Sequence, residues 1–131
     1  MRSIYFLPSS RSLQPRDEQD MDMHGYVIGV DVGTASARAG LFDLQGNRLA
    51  IAVEPIQIHR PQAEYAEQSS EDIWRAVGEV VRRVVQEAQV PPEQVLGIGY
   101  DATCSLVVLD AHDQPLSISP TRDPQWNIIM W

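Results

Sequence analysis

Three short apolar runs, Tyr26 to Asp31, Ala37 to Asp43 and Arg48 to Ile58, follow one another with only a few residues between them. Connections this short join neighbouring antiparallel strands. Val32-Gly33-Thr34 and Leu44-Gln45-Gly46-Asn47 supply the glycine and Asx residues that hairpin turns use. The runs are therefore expected to form an antiparallel meander. A helix follows: Ser69-Ser70-Glu71-Asp72 reads as an N-cap with acidic residues in the first turn, and the helix should continue to about Ala88, before Pro91-Pro92. Ile73, Trp74, Val77, Val80, Val81, Val84, Val85 and Ala88 recur with a period of about 3.6, with Arg75, Glu79, Arg82, Arg83 and Gln86 opposite. That stripe, Trp74 included, is expected in the core against the sheet. Val95 to Tyr100 and Leu106 to Leu109 read as two further strands, and a polar stretch from Ala111 to Gln125 leads to a final apolar run. This order gives an α/β domain with three antiparallel strands and at least one crossover.

With 131 residues the chain has the size of one ordinary domain, so a two-lobed enzyme would be represented only in part. Its 44% hydrophobic and 21% charged residues suit a soluble globular protein with a core. A net charge of −8 repels nucleic-acid phosphates and anionic lipid. The single cysteine, Cys104, leaves no intramolecular disulfide and points to a reducing, cytoplasmic setting. No apolar run reaches the roughly 18 residues of a membrane span. Residues 1–24 are expected to be a disordered leader, or to precede the true start at Met21 or Met23, with 25–131 as the folded part.

The segment richest in chemistry is Asp31-Val32-Gly33-Thr34-Ala35-Ser36-Ala37-Arg38, at the first hairpin. Glycine lets backbone N–H groups around Gly33 and Thr34 approach an anion closely. Thr34 and Ser36 add hydroxyl donors, and Arg38 adds positive charge on the returning strand. Asp31 offers Mg²⁺ a hard oxygen, reached through the metal's water shell. Nucleotide phosphates fit such a hairpin, and so does an ordinary glycine turn with a surface arginine. Further on, Asp101 and Thr103 can accept from and donate to paired hydroxyls; otherwise Asp101 caps a turn. Cys104 reads as a packed thiol rather than a nucleophile. Gln68 either reaches a ligand hydroxyl or is a surface residue before a helix cap. His24, His59 and His112 lack ligand spacing and read as surface or loop residues.

Ile28-Gly29-Val30-Asp31-Val32-Gly33-Thr34-Ala35-Ser36-Ala37-Arg38 resembles the first phosphate motif of the FGGY carbohydrate kinases, within the actin and hexokinase (ribonuclease H-like) ATPase fold. Ala66-Glu67-Gln68 ahead of the helix is similar to the family's segment there. Gly97-Ile98-Gly99-Tyr100-Asp101-Ala102-Thr103-Cys104-Ser105 is similar to its sugar-contacting strand and loop, in a ribulokinase-like form. The resemblance implies ATP and Mg²⁺ as cofactors, with Gly33, Thr34, Ser36 and Arg38 at the phosphates and Asp31 at the metal. It also implies a ketopentose such as ribulose, or a related polyol, at Gln68, Asp101, Thr103 and Cys104. By the same resemblance the general base and adenosine pocket lie beyond Trp131, so no catalytic residue is assigned and the isolated chain is expected to be inactive. The expected macromolecular partner is a separately encoded C-terminal half, or a second copy held through an exposed apolar run at Ile128 to Trp131. A non-catalytic sugar- or nucleotide-binding module of the same fold is the alternative. A chaperone-type ATPase of this fold suits the Asp101 to Ser105 loop less well.

Overall fold

The computed structural model describes residues 25–130; the expected leader, 1–24, and Trp131 lie outside them. Strands β1 (Tyr26–Val32), β2 (Ser36–Asp43) and β3 (Arg48–Pro55) form the expected meander. Alternation in β1 buries Ile28, Val30 and Val32 on one face, and β2 adds Ala37, Ala39 and Leu41 to the same face through its antiparallel register. Gly46 closes the second turn with a φ of 85°, a left-handed conformation that glycine adopts without strain. A two-residue strand, β4 (Glu67–Gln68), precedes helix α1 (Ser70–Ala88).

Helix α1 has the expected bounds, with the Ser69 hydroxyl accepting from Asp72 N–H at its N-terminus. It ends without glycine: Gln89 takes the left-handed conformation, and its N–H and that of Val90 satisfy the carbonyls of Gln86 and Val85. Ala76, Val77, Val80 and Val84 are its buried residues, packed on β2 and β3. Trp74 corrects the expected core. It lies about a quarter turn from the centre of that buried set and is 74% exposed. Ala76, which the stripe omitted, is fully buried.

Strand β5 (Val95–Ala102) runs parallel to β1 and completes a sheet of order β3-β2-β1-β5, the one crossover being α1. The helix covers β2 and β3 and leaves β5 bare, so Leu96, Ile98 and Tyr100 are exposed on an edge strand. The run Leu106 to Leu109, expected as a strand, is one only at β6 (Val108–Leu109), which pairs in a small hairpin with β7 (Pro115–Leu116) from the stretch expected to be polar; the turn is organised by the Asp110 carboxylate accepting from the N–H groups of His112 and Gln114. The final apolar run is also not exposed as expected. Strand β8 (Ile128–Ile129) pairs antiparallel with β4, and Ile128 is 3% exposed. That pairing gives Ile128 and Ile129 a partner within the chain. Among the described residues no helix is long and apolar enough to cross a membrane.

Candidate functional site

The β1–β2 connection is only Gly33-Thr34-Ala35, closed by Gly33 N–H donating to the Ser36 carbonyl at 3.0 Å. That bond uses the glycine N–H expected to face an anion, so outward donors must come from the exposed tip, Thr34 and Ala35. Asp31 and Arg38 are register partners across the two strands, and Arg38 Nη1 lies 2.7 Å from Asp31 Oδ2. Both side chains are about half exposed. A β-carbon at Gly33 would lie 3.6 Å from Arg38 Nη1 and 3.4 Å from the Ser36 carbonyl oxygen. The missing side chain therefore leaves room for a small group against the guanidinium.

Two carbonyls hold the tip. Ala35 O accepts from Ile56 N–H at 2.9 Å, and Thr34 O accepts from Gln68 Nε2 at 2.6 Å. Gln68, expected at a sugar hydroxyl or on the surface, is 1% exposed and reaches from β4 to the hairpin.

Register places Asp101 beside Asp31 on β5, on the sheet face opposite α1. Next along the strands Gly40, Gly29 and Gly99 align across β2, β1 and β5. With no side chains there, a trough of ≈510 Å³ opens, lined by Asp31, Arg38, Phe42, Tyr100 and Asp101 among others. Thr103 leaves the sheet after donating its N–H to the Val32 carbonyl at 3.1 Å. It then lines a chamber of ≈240 Å³ beyond the strand ends with Thr34, Gln68, Cys104, Ser105 and Met130. A neighbouring space of ≈180 Å³ shares Gln68, Thr103 and Ser105. The sequence-predicted residues thus fall into two groups around the hairpin: Asp31, Arg38 and Asp101 on the open sheet face, and Thr34, Gln68, Thr103 and Cys104 around an uncharged chamber. Ser36 begins β2 between them. The Cys104 thiol is exposed, not packed as expected, because its loop has left the sheet.

Sequence reasoning missed Asn127, which is buried. Its Oδ1 accepts from Ser70 N–H at 2.9 Å and its Nδ2 donates to Ser70 Oγ at 2.9 Å, tying β8 to the start of α1. It also missed Glu67, fully buried, whose Oε1 accepts from Thr121 Oγ1 at 3.3 Å while Oε2 has no partner. His59, read as a surface or loop residue, lies between β3 and β4 and sits partly buried against the Trp126 ring at 4.8 Å, with its Nε2 buried and unpartnered. No local pattern marks these residues, since their partners lie far away in sequence. A roomier cavity of ≈640 Å³ opens between Gln57, Asp72, Arg75 and Trp126. It contains none of the predicted site residues; the candidate site is the hairpin, beside which lie the ion pair, the glycine gap and the chamber.

A three-stranded meander with a Gly-Thr hairpin, an Asp-Arg pair at its mouth and a crossover helix to a parallel fourth strand is the opening of a sugar-kinase ATPase fold. Residues 26–122 match the FGGY family of carbohydrate kinases, N-terminal domain, and the chain belongs to that family. A human FGGY carbohydrate kinase domain-containing protein is 50% identical over 106 residues, 81% of this chain and 19% of the human protein. A D-ribulokinase of Saccharomyces cerevisiae is 48% identical over 109 residues, 81% of this chain and 15% of the yeast enzyme. Among solved structures, a ligand-bound xylulose kinase from Lactobacillus acidophilus superposes with a TM-score of 0.69 at 25% identity, covering 82% of this chain and 20% of that one. The chain thus spans a fifth or less of the relatives described.

Proposed function

We propose that this chain supplies the phosphate hairpin and one wall of the sugar pocket of an ATP-dependent kinase for a ketopentose such as ribulose, or a related polyol. The observation that carries the reading is the Arg38–Asp31 pair at 2.7 Å beside the side-chain-free gap at Gly33. In that gap an anionic oxygen meets a guanidinium and the hairpin tip at once. Ser36, at the start of β2, adds a hydroxyl beside it. Phosphoryl transfer needs positioning and charge neutralisation more than covalent chemistry from the protein, and a rigid hairpin provides both.

The residues present fit a nucleotide-bound Mg²⁺. Among the described residues no cluster of three metal-ligating side chains forms, so Asp31 would hold the ion through its water shell, with phosphate oxygens as further ligands. When bound, the ion would neutralise charge on the transferred phosphoryl group. Thr103 and Cys104, with the Gln68 wall, suit hydroxyl groups because their chamber holds no charged side chain. Asp101 faces the trough beside Asp31, where a carboxylate can accept from a substrate hydroxyl close to the phosphates. The ketopentose assignment is supported by the 48% identity to a D-ribulokinase. A cytoplasmic setting accords with a single unpaired cysteine.

The test is calorimetric titration of the chain with Mg·ADP. Binding by the wild type, weakened about tenfold or more in Arg38→Ala as a charge-assisted contact is lost, is the expected result. Equal affinities in the two proteins would overturn the phosphate reading. With ATP, Mg²⁺ and ribulose the isolated chain should release no ADP above background, since it spans 15% of the yeast D-ribulokinase and offers no assigned general base. Sugar-dependent turnover by the chain alone would refute this reading.

A further inference from the structure

We infer that Gln68 is a positioning residue for the phosphate hairpin, aiming the Ala35 N–H outward by holding the Thr34 carbonyl inward. The inference rests on the phosphate reading above and adds a residue outside the motif that makes the hairpin competent. All described peptide bonds are trans, and in a trans peptide the C=O and the following N–H point in opposite directions. The Thr34–Ala35 peptide carries one carbonyl and one N–H. Gln68 Nε2 takes the carbonyl at 2.6 Å from the β4 side. Its N–H must then face away from Gln68 and β4. Released from Gln68, that peptide can rotate with little cost, because Thr34 and Ala35 are exposed and lie between strands.

Gln68 is well placed to impose this geometry. It is buried, and its backbone is held in the β4–β8 ladder opposite Ile128. Glu67 next to it exchanges both backbone hydrogen bonds with His59, at 2.8 and 2.9 Å. Ser70, two residues on, is clasped by Asn127. The carboxamide therefore projects from a fixed platform toward an exposed tip, and the direction of control runs from β4 to the hairpin. Gln68 also walls the hydroxyl-lined chamber with Thr103 and Cys104, so one side chain borders the spaces proposed for sugar and for phosphate.

The experiment uses the ¹⁵N-labelled chain and follows the Thr34 and Ala35 amide resonances during titration with magnesium pyrophosphate. Gln68→Met keeps the length and removes the donor; Gln68→Glu keeps the shape and sets an acceptor against the Thr34 carbonyl. In Gln68→Met the tip resonances should shift while those of α1 and β1–β3 stay, and pyrophosphate affinity should fall about tenfold for one lost hydrogen bond. Gln68→Glu should behave likewise at neutral pH and recover on acidification, once its carboxyl carries a proton to donate. Asp31, Arg38, Asp101 and Cys104 are the titratable groups around the tip and chamber, and Glu67 and His59 lie beside Gln68 on the β4 side. All of them remain in Gln68→Met, whose acid titration serves as the control. Wild-type tip resonances and affinity in both variants would overturn the proposal. So would loss of sheet and tip resonances together with no recovery of Gln68→Glu in acid, which would make Gln68 a core residue only. A wild type that ignores pyrophosphate, with a tip that still moves in Gln68→Met, would sink the phosphate reading and leave the hold of Gln68 on Thr34 standing.

Discussion

At the scale of single residues, the division is between side chains whose partners are close in sequence and those whose partners are distant. Arg38 and Asp31 lie seven apart and face each other because a three-residue turn folds their strands together. Their pairing follows from the hairpin, and the hairpin was legible. Gln68 and Thr34 are 34 residues apart, and Asn127 and Ser70 are 57 apart. Nothing in either neighbourhood announces such partners, so Gln68 read as a sugar ligand or a surface residue and Asn127 was not singled out. Trp74 failed for another reason: periodicity locates a stripe but not its edges, and a residue a quarter turn off centre looks apolar while standing in water. Removing the Asn127 side chain should be costly, because it leaves the partly buried first N–H of α1 without its acceptor. Asn127→Ala should lower stability by about 1–3 kcal/mol, the penalty for a buried donor left unpaired. A thermal melt with an unchanged midpoint would show that water replaces the amide without loss.

At the scale of elements, the meander, the helix and the parallel strand β5 were readable because each carries its own period and punctuation. The tiny strands β4, β7 and β8 were not, since two-residue pairings leave no periodic trace. The second turn, between β2 and β3, shows how an element's end is held. The Asp43 carboxylate accepts from the Asn47 side-chain amide at 2.8 Å and from the N–H groups of Asn47 and Gln45. These bonds, the Asn47 side chain first, hold the Asp43 carboxyl below the usual aspartate range. A folded-state value below the unfolded one means that the contribution is present above the unfolded value and is lost as pH falls through the folded one. Asp43→Asn should therefore melt below the wild type by a constant margin at neutral pH, and the margin should shrink under acid conditions, below about pH 4. A margin independent of pH would show that the turn needs the shape of Asp43 and not its charge.

At the scale of the whole molecule, one sheet face is covered by α1 and the other is open, with β5 as a bare edge. Leu96, Ile98 and Tyr100 on that edge, with Ile51 and Val53 on the open face, are exposed. Edge strands with unpaired backbone and apolar side chains invite pairing with other chains. The chain should self-associate as its concentration rises, through β5 and not through the paired β8. Ile98→Lys, which places a charge on the edge, should restore a single slow-concentration-dependence species in sedimentation velocity. Equal association of the two proteins would move the contact elsewhere.

The clasp between β8 and the β4–α1 junction also bears on the order in which the molecule assembles. Hairpins β1–β2 and β2–β3 close over a few residues, whereas Asn127 must find Ser70 across 57. Closing the longer loop costs more chain entropy and is deferred until the sheet and helix can reward it. During synthesis the phosphate turn would therefore take shape before Gln68 is anchored, and it would acquire its final orientation only when Ile128 and Ile129 arrive to fix the platform beneath it. The strand that completes the support of the hairpin is thus made some ninety residues after it.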